Sequence, residues 1–173
     1  MAASTRQQEK SLDEILSEQK QVLYASVGQI VSELFYTRRY KSFGYSRGEV
    51  LHYKLGFVNS NKFCRYVELG DYYIRLCGVP DRISYEDGKM YVDELKTTIT
   101  NREGIVRKVG LAQLQLYMLI TGIQYGRLFI YYKDREELVL DKELEYDENI
   151  ARQILLRYIE VYNARRRAKQ IVV

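Results

Sequence analysis

The sequence predicts an α/β domain, a central mixed sheet flanked by helices. Three observations predict it. Apolar residues recur at helical spacing near the start, middle and end of the chain. Strand-like runs lie between them, bounded by tight-turn residues at Leu69-Gly70-Asp71 and Asp87-Gly88. The resulting order is helix, meander, helix, strands, helix, an alternation that packs helices onto the faces of a sheet. A length of 173 residues suits one domain. With 46% hydrophobic and 29% charged residues, the balance is that of a globular chain rather than a disordered one.

The elements follow in order. Residues 1–10 are polar, lack an apolar core and are read as a disordered leader rather than a secretory signal. From Ser11 to about Tyr36, Leu12, Ile15, Leu16, Leu23, Val27, Ile30, Val31 and Leu34 predict a helix, with Ser11 and Glu14 as a capping box. Residues 37–48 form a basic and aromatic connector, and a short helix covers Glu49 to Phe57. Strands are predicted at about 62–69, 72–84 and 89–98, joined as an antiparallel meander. Residues 100–108 read as a charged loop. A helix from about Val109 to Ile120 stops at Gly122. Strands at 125–133 and 136–141 turn through Lys133-Asp134-Arg135, and an amphipathic helix closes the chain over about 147–168. The domain thus spans 11–173: an N-terminal helical part (11–60), a sheet with its helix (61–141) and a C-terminal helix (142–173).

The rare residues exclude several functions. One His and two Cys cannot build a His-rich zinc site or a four-thiolate cluster, so any metal held by one chain must lean on carboxylates. Cys64 and Cys77 have no motif spacing and fall in strand-like segments. They read as buried free thiols, and a cytoplasmic, reducing setting fits them. No stretch approaches the roughly 18 consecutive apolar residues of a membrane span. Lys+Arg 27 against Asp+Glu 23 gives a net charge of +4, which permits nucleic-acid binding without announcing it.

The most informative stretch is Cys77-Gly78-Val79-Pro80-Asp81, followed by Val92-Asp93-Glu94-Leu95-Lys96. On a strand, residues i and i+2 share a face, so Glu94 and Lys96 project together while Leu95 faces the opposite layer. A turn at Asp87-Gly88 would bring Asp81 beside Glu94. Pro80 cannot donate to a central ladder, so the preceding strand should be irregular or at an edge there. Two converging carboxylates suit a shared hard cation, Mg²⁺ or Mn²⁺. The lysine could orient or deprotonate a water, or offset charge on phosphate. The same residues also suit plain surface charges on an exposed strand.

Two further signals stand beside it. His52 follows Gly48 by four residues and offers an imidazole to a metal, or serves as a structural histidine. Gln113 and Tyr117 share a helix face while Gln115 points elsewhere, either as a buried polar pair needing a partner or as part of a solvent-facing stripe.

Together these residues resemble the RecB-type branch of the PD-(D/E)xK nuclease superfamily, most closely the small RecB-like exonucleases associated with CRISPR adaptation. The pattern runs in order through Gly48/His52, Gly78/Asp81, Glu94/Lys96 and Gln113/Tyr117. The resemblance implies a restriction-endonuclease-like core and a DNA nuclease dependent on Mg²⁺ or Mn²⁺. His52, Asp81 and Glu94 would bind the metal by their side chains and Leu95 by its carbonyl. Lys96 would position the attacking water, and Gln113 and Tyr117 would brace the site and contact the nucleic acid. The CRISPR-associated members carry four cluster-binding cysteines, one before the histidine and three near the C-terminus. Cys64 and Cys77 occupy neither region, so no iron–sulfur cluster is expected, and a stand-alone relative is the better description. Related nucleases often form rings around DNA, so a homo-oligomer is compatible with the resemblance.

Charge placement points the same way. Arg38, Arg39, Lys41, Arg47 and Lys54 interleave with Tyr36, Tyr40, Phe43 and Tyr45, a mixture suited to single strands. Arg102, Arg107 and Lys108 lie between Lys96 and Gln113 and should border the site on the substrate side. The cations at Arg165, Arg166, Arg167 and Lys169 read as a solvated helix end or as a DNA contact. Residues 136–148 are acidic and should face away. The leading expectation is a metal-dependent deoxyribonuclease, exonuclease or single-strand endonuclease, without a membrane partner. A retired nuclease fold that binds nucleic acid or acts as a scaffold is the alternative, and a junction resolvase is a third reading with the same chemistry.

Overall fold

The computed structural model describes residues 14, 20–36 and 45–170. Its elements are β1 (Gln21–Ser26), α1 (Val27–Phe35), α2 (Tyr45–Lys54), β2 (Phe63–Leu69), β3 (Tyr72–Gly78), β4 (Arg82–Glu86), β5 (Lys89–Thr98), α3 (Glu103–Thr121), β6 (Tyr125–Tyr132), β7 (Glu137–Glu145) and α4 (Glu148–Gln170). The mixed α/β architecture is the one expected. Its strands divide into two mixed sheets, β1-β3-β2 and β4-β5-β6-β7.

The division follows from Gly78-Val79-Pro80. The run over 72–84, expected as one strand, breaks there because Pro80 has no N–H to give a ladder. Asn59 Nδ2 fixes the break by donating to the Pro80 carbonyl at 3.1 Å. The chain restarts as β4, which pairs antiparallel with β5 through a turn at Asp87 and Gly88, both with positive φ.

The expected helix over 11–36 is corrected within the described residues. Leu23 and Ala25 turn inward while Tyr24 and Ser26 stay exposed, and this period of two makes Gln21–Ser26 a strand parallel to β3. Glu14 is helical as expected, and after the strand a helix starts at Val27, where the Ser26 side chain accepts from the Gln29 N–H at 3.1 Å. Ser11 of the expected capping box, the leader and residues 37–44 lie outside the described residues. The connector expected over 37–48 is already helical from Tyr45, in α2.

A second correction concerns residues 100–108. The loop is short and α3 begins at Glu103, so Arg107 and Lys108 are helical. The helix ends as expected at Gly122, whose left-handed backbone lets its N–H reach the Met118 carbonyl at 2.9 Å.

The third correction is chemical. Cys64 and Cys77 are not free thiols but a disulfide. They face each other directly across β2 and β3, with Cα atoms 4.1 Å apart. Paired in this way, Cys64 and Cys77 do not favour a reducing setting as free thiols would. No helix among the described residues is long and apolar enough to cross a membrane.

Helix α3 is the structural centre. It packs on β5 and β6, meets β2 and β3 of the smaller sheet, and is flanked by α1 and α4. Leu114, Leu116 and Met118 are fully buried with Ile30, Ile74, Leu76, Leu128, Ile130 and Leu155. Gly110 lets α3 approach this closely, since a Cβ there would stand 2.5 Å from Leu128 Cδ1.

Candidate active site

Register builds the site. Arg82 pairs with Asp93, so the residue before β4, Asp81, falls level with Glu94. Asp81 Oδ2 accepts from the Leu95 N–H at 2.8 Å, which pins the broken chain end to β5. His52, on α2, brings Nε2 to 3.1 Å from the same oxygen. Leu95 turns its side chain into the protein, as predicted.

Glu94 and Lys96 project together from β5. Lys96 Nζ donates to Glu94 Oε1. Glu94 is only 2% exposed, and its Oε2 is buried without a hydrogen bond from any described residue. Burial first, then the negative charge of Asp81, pushes its pKa up to about 7 against the opposing pull of Lys96. Burial works to deprotonate Lys96, but Glu94 and Asp81 outweigh it and hold the ammonium above its ordinary pKa. Lys96 is therefore a cation here, suited to orienting a water or offsetting charge rather than acting as a base.

Gln113 and Tyr117 form the roof. Both are buried, one turn apart on α3. Gln113 Oε1 accepts no hydrogen bond from the described residues. Burial, followed by Glu94 and Asp81, keeps the Tyr117 phenol protonated well above its usual range. Gly78 makes room for it, because a Cβ there would lie 2.7 Å from Tyr117 Cε1. Gln115 points away, as expected. It donates to the Glu145 carbonyl at 3.1 Å and accepts from the Asp147 N–H at 2.9 Å, securing the entry to α4.

The three predicted border cations separate. Arg107 is taken by Asp141, with bonds of 2.8 and 2.6 Å to both carboxylate oxygens. Asp141 is the extra residue at the irregularity between β6 and β7, where the bulge turns it toward α3. Arg102 and Lys108 remain exposed without an ion pair among the described residues. Arg47 lies on α2, and Arg38, Arg39 and Lys41 fall outside the described residues.

Sequence reasoning missed the network beneath the site. Asp93 is fully buried on the reverse face of β5 and accepts at 2.8 Å from each of Arg82 Nε, Ser84 Oγ and Arg127 Nε. Arg127 also pairs with Glu86, and Arg82 lies 4.1 Å from the Phe57 ring centre. These bonds tie β4, β5 and β6 into one register. The available signal was an acid between Val92 and Glu94, on the face opposite the catalytic candidates, where a buried charge demands a cation.

The donor set suits a hard divalent ion. The orphaned Glu94 oxygen, the neighbouring Asp81 and the reach of His52 are the features that a cation would satisfy. The donors do not converge as a finished cage. No group of three His, Cys, Asp or Glu side chains stands ready around one point among the described residues. Asp81 Oδ2 is engaged by His52 and Leu95, and Glu94 Oε1 by Lys96.

Neither a family model nor a curated protein matches the sequence. Solved structures do match. The crystal structure of SSO0001 aligns with a TM-score of 0.60 at 23% identity, over 86% of this chain and 81% of that one. That likeness is one of fold. An alkaline exonuclease (LHK-Exo) from Laribacter hongkongensis aligns at 13% identity and a TM-score of 0.34, over 86% of this chain and 94% of its own. The same exonuclease in complex with dAMP gives 12% and 0.35, over 85% and 94%.

Proposed function

We propose that the chain is a divalent-metal-dependent deoxyribonuclease of the RecB-like PD-(D/E)xK type. The observation that carries the reading is the meeting of Asp81, Glu94 and Lys96 at the broken end of β4, with one oxygen of a buried glutamate left unpartnered. Asp81, Glu94, His52 and the Leu95 carbonyl would hold Mg²⁺ or Mn²⁺. Such an ion supplies charge neutralisation at the scissile phosphate and an acidified water.

The chain's own residues do the rest. Lys96 keeps its proton and sits on the Glu94 face of β5, where it can orient a water and offset negative charge on phosphate. Tyr117, held neutral, offers an O–H donor from the roof, with Gln113 one turn before it. Arg102 and Lys108 stand free at the start of α3 to meet phosphates further along a strand. The substrate is DNA, with single strands or strand ends favoured and exonuclease or single-strand endonuclease action.

The test uses labelled single- and double-stranded DNA with Mn²⁺ or Mg²⁺. Cleavage should require the metal, cease with EDTA and fall by about two orders of magnitude or more in Lys96→Ala. Cleavage that survives both EDTA and Lys96→Ala sinks the mechanism.

A further inference from the structure

The smaller sheet has one face on the core; on the other, Tyr73 and Cys77 are buried, with Lys20 over the Tyr73 ring, while Tyr24 stays open. Ile74 and Leu76 of β3 face inward with Leu23, Ala25 and Val67. The residues between them face the other way. Register sets Tyr24 of β1, Arg75 of β3 and Tyr66 of β2 side by side in one row across that outer face. Tyr24 is 65% exposed, and Arg75 and Tyr66 are half-buried.

An open groove of about 520 Å³ runs along this face, a volume in the range of small-ligand sites. Tyr24, Lys62 and Arg75 line one part of it, and Gly78, Val79 and Tyr117 line another. Tyr117 is the roof of the candidate site, and Val79 is two residues before Asp81. The groove is thus continuous with the catalytic candidates. Lys62 and Arg75 have no ion pair among the described residues. Glu68 is the acid projecting from the same face of the sheet, further from the groove, and Lys20 already pairs with it.

We infer that this outer face is a platform for single-stranded DNA, the path by which a strand reaches Asp81, Glu94 and Lys96. The inference rests on the nuclease reading for its direction of travel. Its chemistry comes from the face itself. Two cations without an ion pair among the described residues answer phosphates, and an exposed tyrosine beside Arg75 offers a base a ring to stack on. A duplex hides its base faces, so the tyrosine contribution belongs to single strands. The first turn of α1 borders the groove and carries no acidic residue to repel a phosphate.

The test is fluorescence anisotropy with the full chain in EDTA, so that binding is read without cleavage. The probe is a labelled oligothymidylate about twenty nucleotides long, beyond the usual single-strand site size. Arg75→Glu and Lys62→Glu should each weaken binding about tenfold or more. Each should also flatten the dependence of log affinity on log salt, by about 0.7 for every phosphate the variant no longer neutralises. Tyr24→Ala should weaken binding about tenfold with the salt slope unchanged. A blunt duplex of the same length should respond much less to Tyr24→Ala. Lys62 and Tyr24 are exposed, so those variants keep the test alive if Arg75→Glu does not fold.

Parent-like affinity and slope in the Lys62→Glu variant and parent-like affinity in Tyr24→Ala overturn the platform. Failure of the parent protein to bind the oligothymidylate, or an equal loss on the duplex with Tyr24→Ala, also overturns it. Weakened binding by these variants, in a protein that shows no DNA cleavage with either Mn²⁺ or Mg²⁺, keeps the platform and removes the nuclease reading.

Discussion

Glu94 is a carboxylate placed where a carboxylate is uncomfortable. With its pKa at about 7 against an ordinary 4.5, it holds its proton more tightly in the folded chain than in the unfolded one. The sign follows from linkage. Its contribution to stability is fully present below about pH 4.5 and is lost as pH rises toward 7. The metal-free protein should therefore lose thermal stability across that window from this group. A divalent cation binds the deprotonated form, so its stabilising effect should grow over the same window. Thermal melts at several pH values, with EDTA and with Mn²⁺, check both trends. An Mn²⁺ shift equal at pH 5 and pH 7.5 would remove Glu94 from the ligand set. Lys96→Ala should raise the Glu94 pKa further, since it deletes the cation that opposes protonation.

At the scale of elements, the site depends on keeping β4 in register with β5. Asp93 holds Arg82, Ser84 and Arg127 from a position with no exposure. Asp93→Ala would leave the buried Arg127 with only Glu86 and Ser84 as partners and should cost about 3 kcal/mol, read from chemical denaturation. Arg127→Ala would leave Asp93 with Arg82 and Ser84 still in place and should cost less. Gly78→Ala acts on the other side of the break. Its Cβ would press on Tyr117 and on Val27, at 2.7 and 3.0 Å, and overpacking of that kind costs about 1–3 kcal/mol. Cleavage measured alongside the melt should fall more than the stability loss explains, because Tyr117 must shift.

These elements also show what was legible in the chain. The Asp87-Gly88 turn is a two-residue hairpin loop, and counting outward from it places Asp81 opposite Glu94. The Gly70-Asp71 turn allows the same count, which sets Cys64 opposite Cys77. Spacing rules for cysteine motifs do not look across a hairpin, so the pairing stayed hidden. The strand β1 was obscured for a different reason. Leu23 and Val27 sit four residues apart across the strand–helix boundary, and this mimics one continuous helical stripe. Only the partner strand β3, through parallel pairing, decides that Gln21–Ser26 is extended. The Arg107–Asp141 pair needed the β7 bulge, a tertiary feature that local pattern does not encode.

At the scale of the molecule, two sheets share one central helix, and the candidate site lies at the break between them. The smaller sheet has three strands, and its β2–β3 pair is stapled by a disulfide whose cysteines stand 13 positions apart in sequence. Closing a loop of that size removes denatured-state freedom, an effect of about 3 kcal/mol in the chain-entropy model. For a domain of this length each kcal/mol moves the melting point by about 2–4 °C. Reduction with dithiothreitol, or Cys64→Ser with Cys77→Ser, should therefore lower the melting temperature by about 6–12 °C. Thiol titration of the unreduced, denatured protein should find no reactive thiol, and two free thiols there would overturn the disulfide. The bond lies on the outer face with Arg75, between the proposed strand platform and Gly78, and not among Asp81, Glu94 and Lys96. Loosening it should therefore act on strand capture before chemistry. Cleavage of long single strands should weaken through KM more than through kcat, whereas a matching fall in kcat would mean that the smaller sheet also sets the geometry of the site.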